Sequence, residues 1–219
     1  MGRAKDIVVK VIPSKIANEF IIKHHYSKKV VPNSKLHFGV FLDNKLHGVM
    51  SYGPSINKKG TINLVEGTKW NEFIELNRMA FDDVLPRNSE SRAISQSIKL
   101  IKKNAPHIKW IISFADGCQC GDGTIYRASN FVLTDIRKNE ALRINPNTGE
   151  KVHVITAHHK KIRDFRKWQP IEGYQLRYIY FIDKTYKDKL TVPIIPFSKI
   201  NEIGAGMYKG KKRGDNNEW

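Results

Sequence analysis

The segment that most constrains this chain is Ile108–Phe114, IKWIISF, an almost unbroken apolar run of strand length. A strand that does not alternate polar with apolar residues must be covered on both faces, as a central strand is in a sheet with helices on either side. The preceding residues agree. Phe73–Ala80 (FIELNRMA) reads as a strand, and Ser89–Arg92 opens a long amphipathic helix with Ala93, Ile94, Ile98 and Ile101 on its apolar face. Asn104-Ala-Pro106 stops that helix. The order strand, helix, strand is a crossover.

Other elements extend the same sheet. Asp6–Ile12 alternates as a strand, and Lys15–His25 carries Ile16, Ala17, Phe20 and Ile21 at helical spacing, with Ser14 as the cap. Leu36–Leu42 and Leu46–Tyr52 flank the turn Asp43-Asn-Lys45 and form an antiparallel hairpin ended by Gly53-Pro54. Ser55–Trp70 is rich in Gly, Lys and Asn and reads as a long excursion or lid. Thr124–Ser129 is a short helix. Phe131–Arg137 and Lys151–Thr156 read as strands paired around the Asn145–Gly149 turn, and Leu176–Ile182 as another strand. The fold class is therefore α/β (α+β), a mixed central sheet with helices on both faces. Residues 1–135 make its core, 136–203 add strands and a basic segment to the same domain, and 204–219 form a disordered basic tail.

Charge narrows the partners. Lys and Arg number 38 against 21 Asp and Glu, a net charge of +17. Such an excess favours a polyanion, with nucleic acid ahead of an anionic membrane. No apolar run approaches the roughly 20 residues of a membrane span, and the N-terminus lacks a secretory h-region. The two cysteines, Cys118 and Cys120, stand too close in sequence to bridge readily and cannot complete a zinc site alone. That usage fits a reducing compartment, the cytoplasm.

Five clusters carry chemistry. Arg87, Asn88, Ser89, Ser91 and Arg92 lie where a strand leads into a helix N-terminus, a natural anion site that reads equally as an ordinary cap. Asp116 lies just past the end of the buried strand, in a glycine-rich turn leading to Tyr126, which is placed to donate a proton. His25 and Tyr26 sit at the end of the first helix, beside Lys28 and Lys29; His37 and His47, inside strands, read as structural. In Glu75-Leu-Asn77-Arg78, alternation puts Glu75 and Asn77 on one face and Leu76 and Arg78 on the other, where a buried Arg78 needs an anion such as Asp116 or a ligand. Last, Lys160, Lys161, Arg163, Arg166 and Lys167 stand with Phe165 and Trp168, a composition suited to phosphate contacts and base stacking. His153, His158 and His159 match no strong metal motif.

The strings HHYSKK, LHFGVF, ELNRMAF, LPRNSESRAISQSIK and IKWIISFADGCQCGDGTIYRASNF run in this order from about Ile16 to Leu133. Together they resemble the Mom family of bacteriophage DNA modification proteins, which is similar in fold to the Gcn5-related N-acyltransferases. The resemblance implies a GNAT-like core at residues 1–135 that modifies the exocyclic amine of adenine with a carbamoylmethyl group and so protects phage DNA from host restriction. It implies active-site roles for His25, Tyr26, Arg78, Ser91, Asp116 and Tyr126, with Tyr126 as general acid. It implies acetyl-CoA or another acyl or aminoacyl donor at Arg87–Arg92, where serines stand in for the usual glycines. Iron has been suggested for the family, and no ligand set stands out here. The expected partner is double-stranded DNA with the target adenine flipped out, since its amine is engaged in pairing. The main alternative is an acetyl-CoA-dependent N-acetyltransferase acting on a protein or small amine, which has no need of DNA affinity. A DNA-binding protein without activity leaves the Asp116–Gly123 loop unexplained.

Overall fold

Alternating residues Val8–Val11 form strand β1 and lead into helix α1 (Ser14–His24). Strands β2 (Leu36–Leu42) and β3 (Lys45–Gly53) follow, then a short helix α2 (Lys58–Ile62), strand β4 (Phe73–Phe81), helix α3 (Ser89–Asn104), strand β5 (Trp110–Asp116), helix α4 (Thr124–Ala128) and strand β6 (Val132–Lys138). Beyond them come β7 (Leu142–Ile144), β8 (Lys151–His153), α5 (Val154–His159), β9 (Tyr174–Phe181), α6 (Ser198–Glu202), β10 (Met207–Tyr208) and β11 (Lys211–Lys212). This computed structural model describes residues 2–208, 211 and 212. The chain divides into two compact units. One comprises Met1–Phe114, Thr124–Thr134 and Arg177–Ile195, the other Ala115–Gly123, Asp135–Leu176 and Pro196–Trp219.

The main sheet has the order β1-β2-β3-β4-β5-β9-β6. Strands β1 to β4 pair antiparallel, whereas β4 and β5, joined by the α3 crossover, pair parallel. This is the mixed sheet expected from the sequence. Helices α1 and α3 cover opposite faces. Val49 of β3 packs with Ala17 and Ile21 of α1, while Tyr52, three residues on and so on the other face, bonds through its hydroxyl to Ser97 of α3 at 2.7 Å. Burial of a residue such as Ile21 or Val49 contributes about 1.5–3 kcal/mol. The apolar run holds the centre. Trp110 is wholly buried, stacks on Phe73 at 4.5 Å and donates its indole N–H to Thr68.

Several local expectations change. Ser14 is the first helical residue of α1, and Pro13 precedes it without any side-chain cap bond. Ser55–Trp70 is no open lid: it contains α2, Ser55 and Thr61 bond through their hydroxyls, and Val65 enters the core beside Phe73 and Trp110. The Asn145–Gly149 turn joins β7 to β8, so Lys151–His153 does not pair with β6, and Val154–Thr156 is helical. These were non-local choices of partner that a β-rich local pattern does not settle.

The second unit has its own small core of Val152, Ala157 and Phe165, with Ile162 and Trp168 against it. Gly173, at φ +137°, lies so near the Gly117 carbonyl that a Cβ would meet it at 2.8 Å. The segment from Gly204, expected to be disordered, is anchored as far as Met207. Ala205 and Met207 are buried, and the Met207 carbonyl accepts the Asp122 N–H at 2.9 Å. Residues 209, 210 and 213–219 of the expected tail lie outside the described residues.

Candidate active site

The β4–β5 ladder runs from Phe73 opposite Trp110 to Leu76 opposite Ser113 and ends there, although β4 continues to Phe81. At the same point β4 carries a bulge. Leu76 pairs with Tyr52 and Arg78 with Ser51, so Asn77 is the extra residue. The bulge overturns the simple alternation. Ser51 and Tyr52 point to opposite faces, so Leu76 faces α3, and Arg78 joins Glu75, opposite Gly53, on the α1 face.

Arg78 is half-buried rather than buried, and its guanidinium finds main-chain carbonyls instead of the anion expected. Nε donates to the Lys29 carbonyl at 3.1 Å and Nη1 to the Asn77 carbonyl at 2.8 Å. It thereby ties the His25–Lys29 loop to the bulge. In that loop His25 is buried, and its Nδ1 accepts the Ser27 N–H at 3.1 Å and lies 2.8 Å from the Ser27 hydroxyl. A neutral ring so bonded carries its proton on Nε2. Tyr26 tilts against His25 at 4.3 Å and remains 45% exposed. Lys28, at φ 51°, turns its ammonium back onto the Lys23 carbonyl at the end of α1.

Two more polar groups complete this side. Burial pushes the Glu75 carboxyl pKa up, against the opposing influence of Ser55, Asn77 and the Arg78 charge. Asn77 is 7% exposed, and its Oδ1 accepts the Ser34 hydroxyl at 3.0 Å. Among the described residues its amide nitrogen has no hydrogen-bond partner.

On the α3 face the arrangement differs. Tyr126 of α4 is buried against Phe131 and Tyr178, and its hydroxyl lies 2.8 Å from Ser113 Oγ. Ser113 donates in turn to the Leu76 carbonyl at 3.1 Å, the last rung of the ladder. The Ser113 hydroxyl is thus within donating distance of both the Tyr126 oxygen and the Leu76 carbonyl.

The N-terminus of α3 lacks the glycines of a phosphate loop, yet its backbone takes the same liberty. Asn88 sits at φ 72°, a left-handed conformation that asparagine tolerates better than other side chains. Ser89, wholly buried, has no partner for its hydroxyl among the described residues. Ser91 donates to the Asn88 carbonyl, and exposed Arg92 reaches the Lys5 carbonyl, while Arg87 is exposed. The N–H groups of Glu90 and Ser91 lack an intrahelical acceptor by position. These features suit an anion.

The second unit holds the remaining expected residues. Asp116 accepts the Cys118 N–H at 3.0 Å and the Gln119 side-chain amide at 2.9 Å. Burial, reinforced by the Asp116 charge, pushes the Cys118 thiol up to about 12, and burial raises Cys120 as well. Neither is a thiolate near neutral pH. Lys160, Lys161, Arg163, Arg166 and Lys167 are exposed. The aromatics are not free platforms. Phe165 is buried and Trp168 leans on it at 5.5 Å, while Arg143 holds the Arg166 and Trp168 carbonyls from beneath. Among the described residues, no three His, Cys, Asp or Glu gather as metal ligands, so the residues do not fit an iron site. No described helix is long and apolar enough to cross a membrane.

The sequence matches the Mom protein family over residues 6–199. The chain belongs to that family. A relative, the methylcarbamoylase mom of Escherichia phage Mu, is 34% identical over 201 residues, covering 87% of this chain and 82% of that protein. Among solved structures the chain is similar to the spermidine/spermine N-acetyltransferase SpeG of Vibrio cholerae, at 9% identity over 85% of this chain and 99% of that one, TM-score 0.49. It is also similar to a GNAT family acetyltransferase of Elizabethkingia anophelis, at 12% identity over 80% and 98%, TM-score 0.45.

Of the residues that the Mom resemblance singles out, the first unit contains His25, Tyr26, Arg78, Ser91 and Tyr126, and the second contains Asp116. Three residues at the end of the β4–β5 ladder were given no role by sequence reasoning: Glu75, Asn77 and Ser113. The signal for Ser113 was present, a lone hydroxyl in an otherwise apolar central strand. Nothing local announced the bulge that brings Arg78 beside Glu75.

Proposed function

We propose that this transferase of the Mom family modifies the exocyclic amine of adenine in phage DNA, adding a carbamoylmethyl (methylcarbamoyl) group that shields the genome from host restriction. The supporting observation is a division of labour across one sheet, at the point where the β4–β5 ladder ends. On the α3 face lie an anion-ready helix start with an unpaired buried serine and a tyrosine hydroxyl at the ladder's last rung. On the α1 face lie Glu75, Asn77 and the His25–Tyr26 loop. The phage Mu relative, a methylcarbamoylase by name, supports the group transferred.

Asn88–Ser91 would hold the donor's phosphates, with free backbone N–H groups, the helix dipole behind them and the buried Ser89 hydroxyl close by. When bound, the donor supplies the electrophilic carbon. As the adenine N6 bonds to that carbon and the carbon's bond to the departing group breaks, Tyr126, on the same face, would give its proton to the departing group and the amine would release one of its own to solvent, with the Ser113 hydroxyl holding the phenol in place. The adenine enters from the α1 face, out of its base stack, with Tyr26 as a surface to stack on. Arg78 is a positioning residue: it holds the loop that carries His25 and Tyr26. Exposed cations Lys29 and Lys160–Lys167 contact phosphates and carry no sequence information.

The test is mass spectrometry of nucleosides from plasmid DNA after expression of the protein in bacteria. A new adenosine species heavier by a carbamoylmethyl group is the expected result. Unmodified adenine with abundant folded protein would overturn the reading in favour of N-acetylation of a protein or small amine.

A further inference from the structure

The amide nitrogen of Asn77, without a partner at hydrogen-bond distance among the described residues, calls for a ligand. A buried donor left without an acceptor costs about 1–3 kcal/mol, so such groups persist where something else completes them. Asn77 is not loosely placed. The Ser34 hydroxyl occupies its Oδ1. The nearby Glu75 carboxyl turns the amide nitrogen, not the oxygen, toward itself, since two facing acceptors would repel. Gly53 makes the room, because a Cβ there would stand 2.8 Å from Oδ1 and 2.6 Å from the Asn33 carbonyl. Asn77 and Glu75 therefore present an N–H donor beside a carboxyl acceptor on the α1 face, close enough for the amide to act on the carboxyl without completing a hydrogen bond to it.

Adenine carries the complementary pair. On either edge an N6–H donor stands next to a ring-nitrogen acceptor, N1 or N7. We infer that Asn77 and Glu75 read the flipped adenine, the Asn77 amide donating to a ring nitrogen and the Glu75 carboxyl accepting from the exocyclic amine. Guanine and thymine place a carbonyl oxygen where that amine would stand and meet the carboxyl acceptor to acceptor. The bulge serves this purpose by delivering Asn77, one residue out of register, to the end of the ladder. The inference rests on the DNA-adenine reading and names the residues that tell an amino base from an oxo base.

The experiment needs no donor. Affinities of the full chain and its variants are measured by fluorescence anisotropy for short duplexes with one mismatched target: adenine, purine lacking the amine, 1-deaza-adenine or 7-deaza-adenine. The wild type should lose about tenfold on purine and on one of the two deaza bases, the range of a single base-edge contact. Asn77→Leu should bind adenine about tenfold more weakly and show no further loss on that deaza base. Glu75→Met should no longer distinguish adenine from purine. Thermal melting identifies any variant that has not folded, and Asn77→Ala then replaces Asn77→Leu. Wild-type discrimination retained in folded Asn77 and Glu75 variants would overturn the inference, leaving a water as the partner of the amide. If plasmid adenine is modified normally by those variants, this inference alone fails. If the wild type modifies no adenine, the function proposed above fails with it.

Discussion

Two polar clusters flank the end of the β4–β5 ladder, and only one is complete. On the α3 face the Tyr126 hydroxyl bonds to Ser113 and Ser113 to the Leu76 carbonyl, a chain that runs into the backbone. On the α1 face Asn77 has a buried amide nitrogen with no partner at hydrogen-bond distance among the described residues, beside a Glu75 carboxyl whose pKa burial has raised. A completed network holds groups still, whereas an incomplete one stores a demand that a substrate can meet. The contrast separates positions whose substitution damages the fold from those whose substitution damages recognition.

The largest effect should come from Tyr126→Phe. Loss of a general acid lowers modification by about 10²–10⁴-fold, read by nucleoside mass spectrometry, in a protein that still melts cooperatively. Retained activity would make the closed cluster mere scaffolding. Next, Ser113→Ala removes a partner of a buried phenol and should reduce unfolding stability in urea by about 1–3 kcal/mol. Asn77→Ala deletes an unpaid donor together with one bond to Ser34, and its stability loss should be clearly smaller. Equal losses would erase the distinction between the two clusters.

Ser89→Ala carries the comparison to the start of α3. Deleting a buried hydroxyl that has no partner should leave the melting temperature unchanged or raise it, while donor KM rises. A lower melting temperature would mean that the hydroxyl is already satisfied. The pH dependence follows from Glu75. Its folded pKa is raised, so the folded state binds the proton more tightly than the unfolded chain. The stability this contributes is complete below the unfolded glutamate pKa and is lost as pH rises through the folded value. Glu75→Gln should therefore gain stability relative to wild type on going from pH 4 to pH 7; a pH-independent difference would refute the shift. Smallest of all, Lys167→Ala should reduce the salt slope of DNA binding by about one and leave folding untouched, because its pair with Asp164 is exposed.

Much of this was legible beforehand. The apolar run around Trp110, the helical spacing of Ala93 to Ile101 and the hairpin turn at Asp43-Asn44 each depend on near neighbours, and each forms where periodicity places it. The Asn88–Ser91 turn was visible as a helix start, although only its φ of 72° showed asparagine acting in place of glycine. The positive charge and the Mom-like order of motifs were likewise properties of the chain alone, and they carried the family.

Tertiary structure decided what the chain could not state locally. Whether Lys151–His153 pairs with β6 or β7 depends on which strand lies within reach, not on its own residues. Whether Arg78 faces α1 or α3 turns on one extra residue in β4, and a slip of one position reverses a strand's faces. Hydrogen-bond satisfaction is the most non-local property of all, since an amide such as that of Asn77 is paired or orphaned by every atom that packs around it. Periodicity therefore wrote the elements into the sequence, while long-range packing determined which side chains meet and which are left waiting for a ligand.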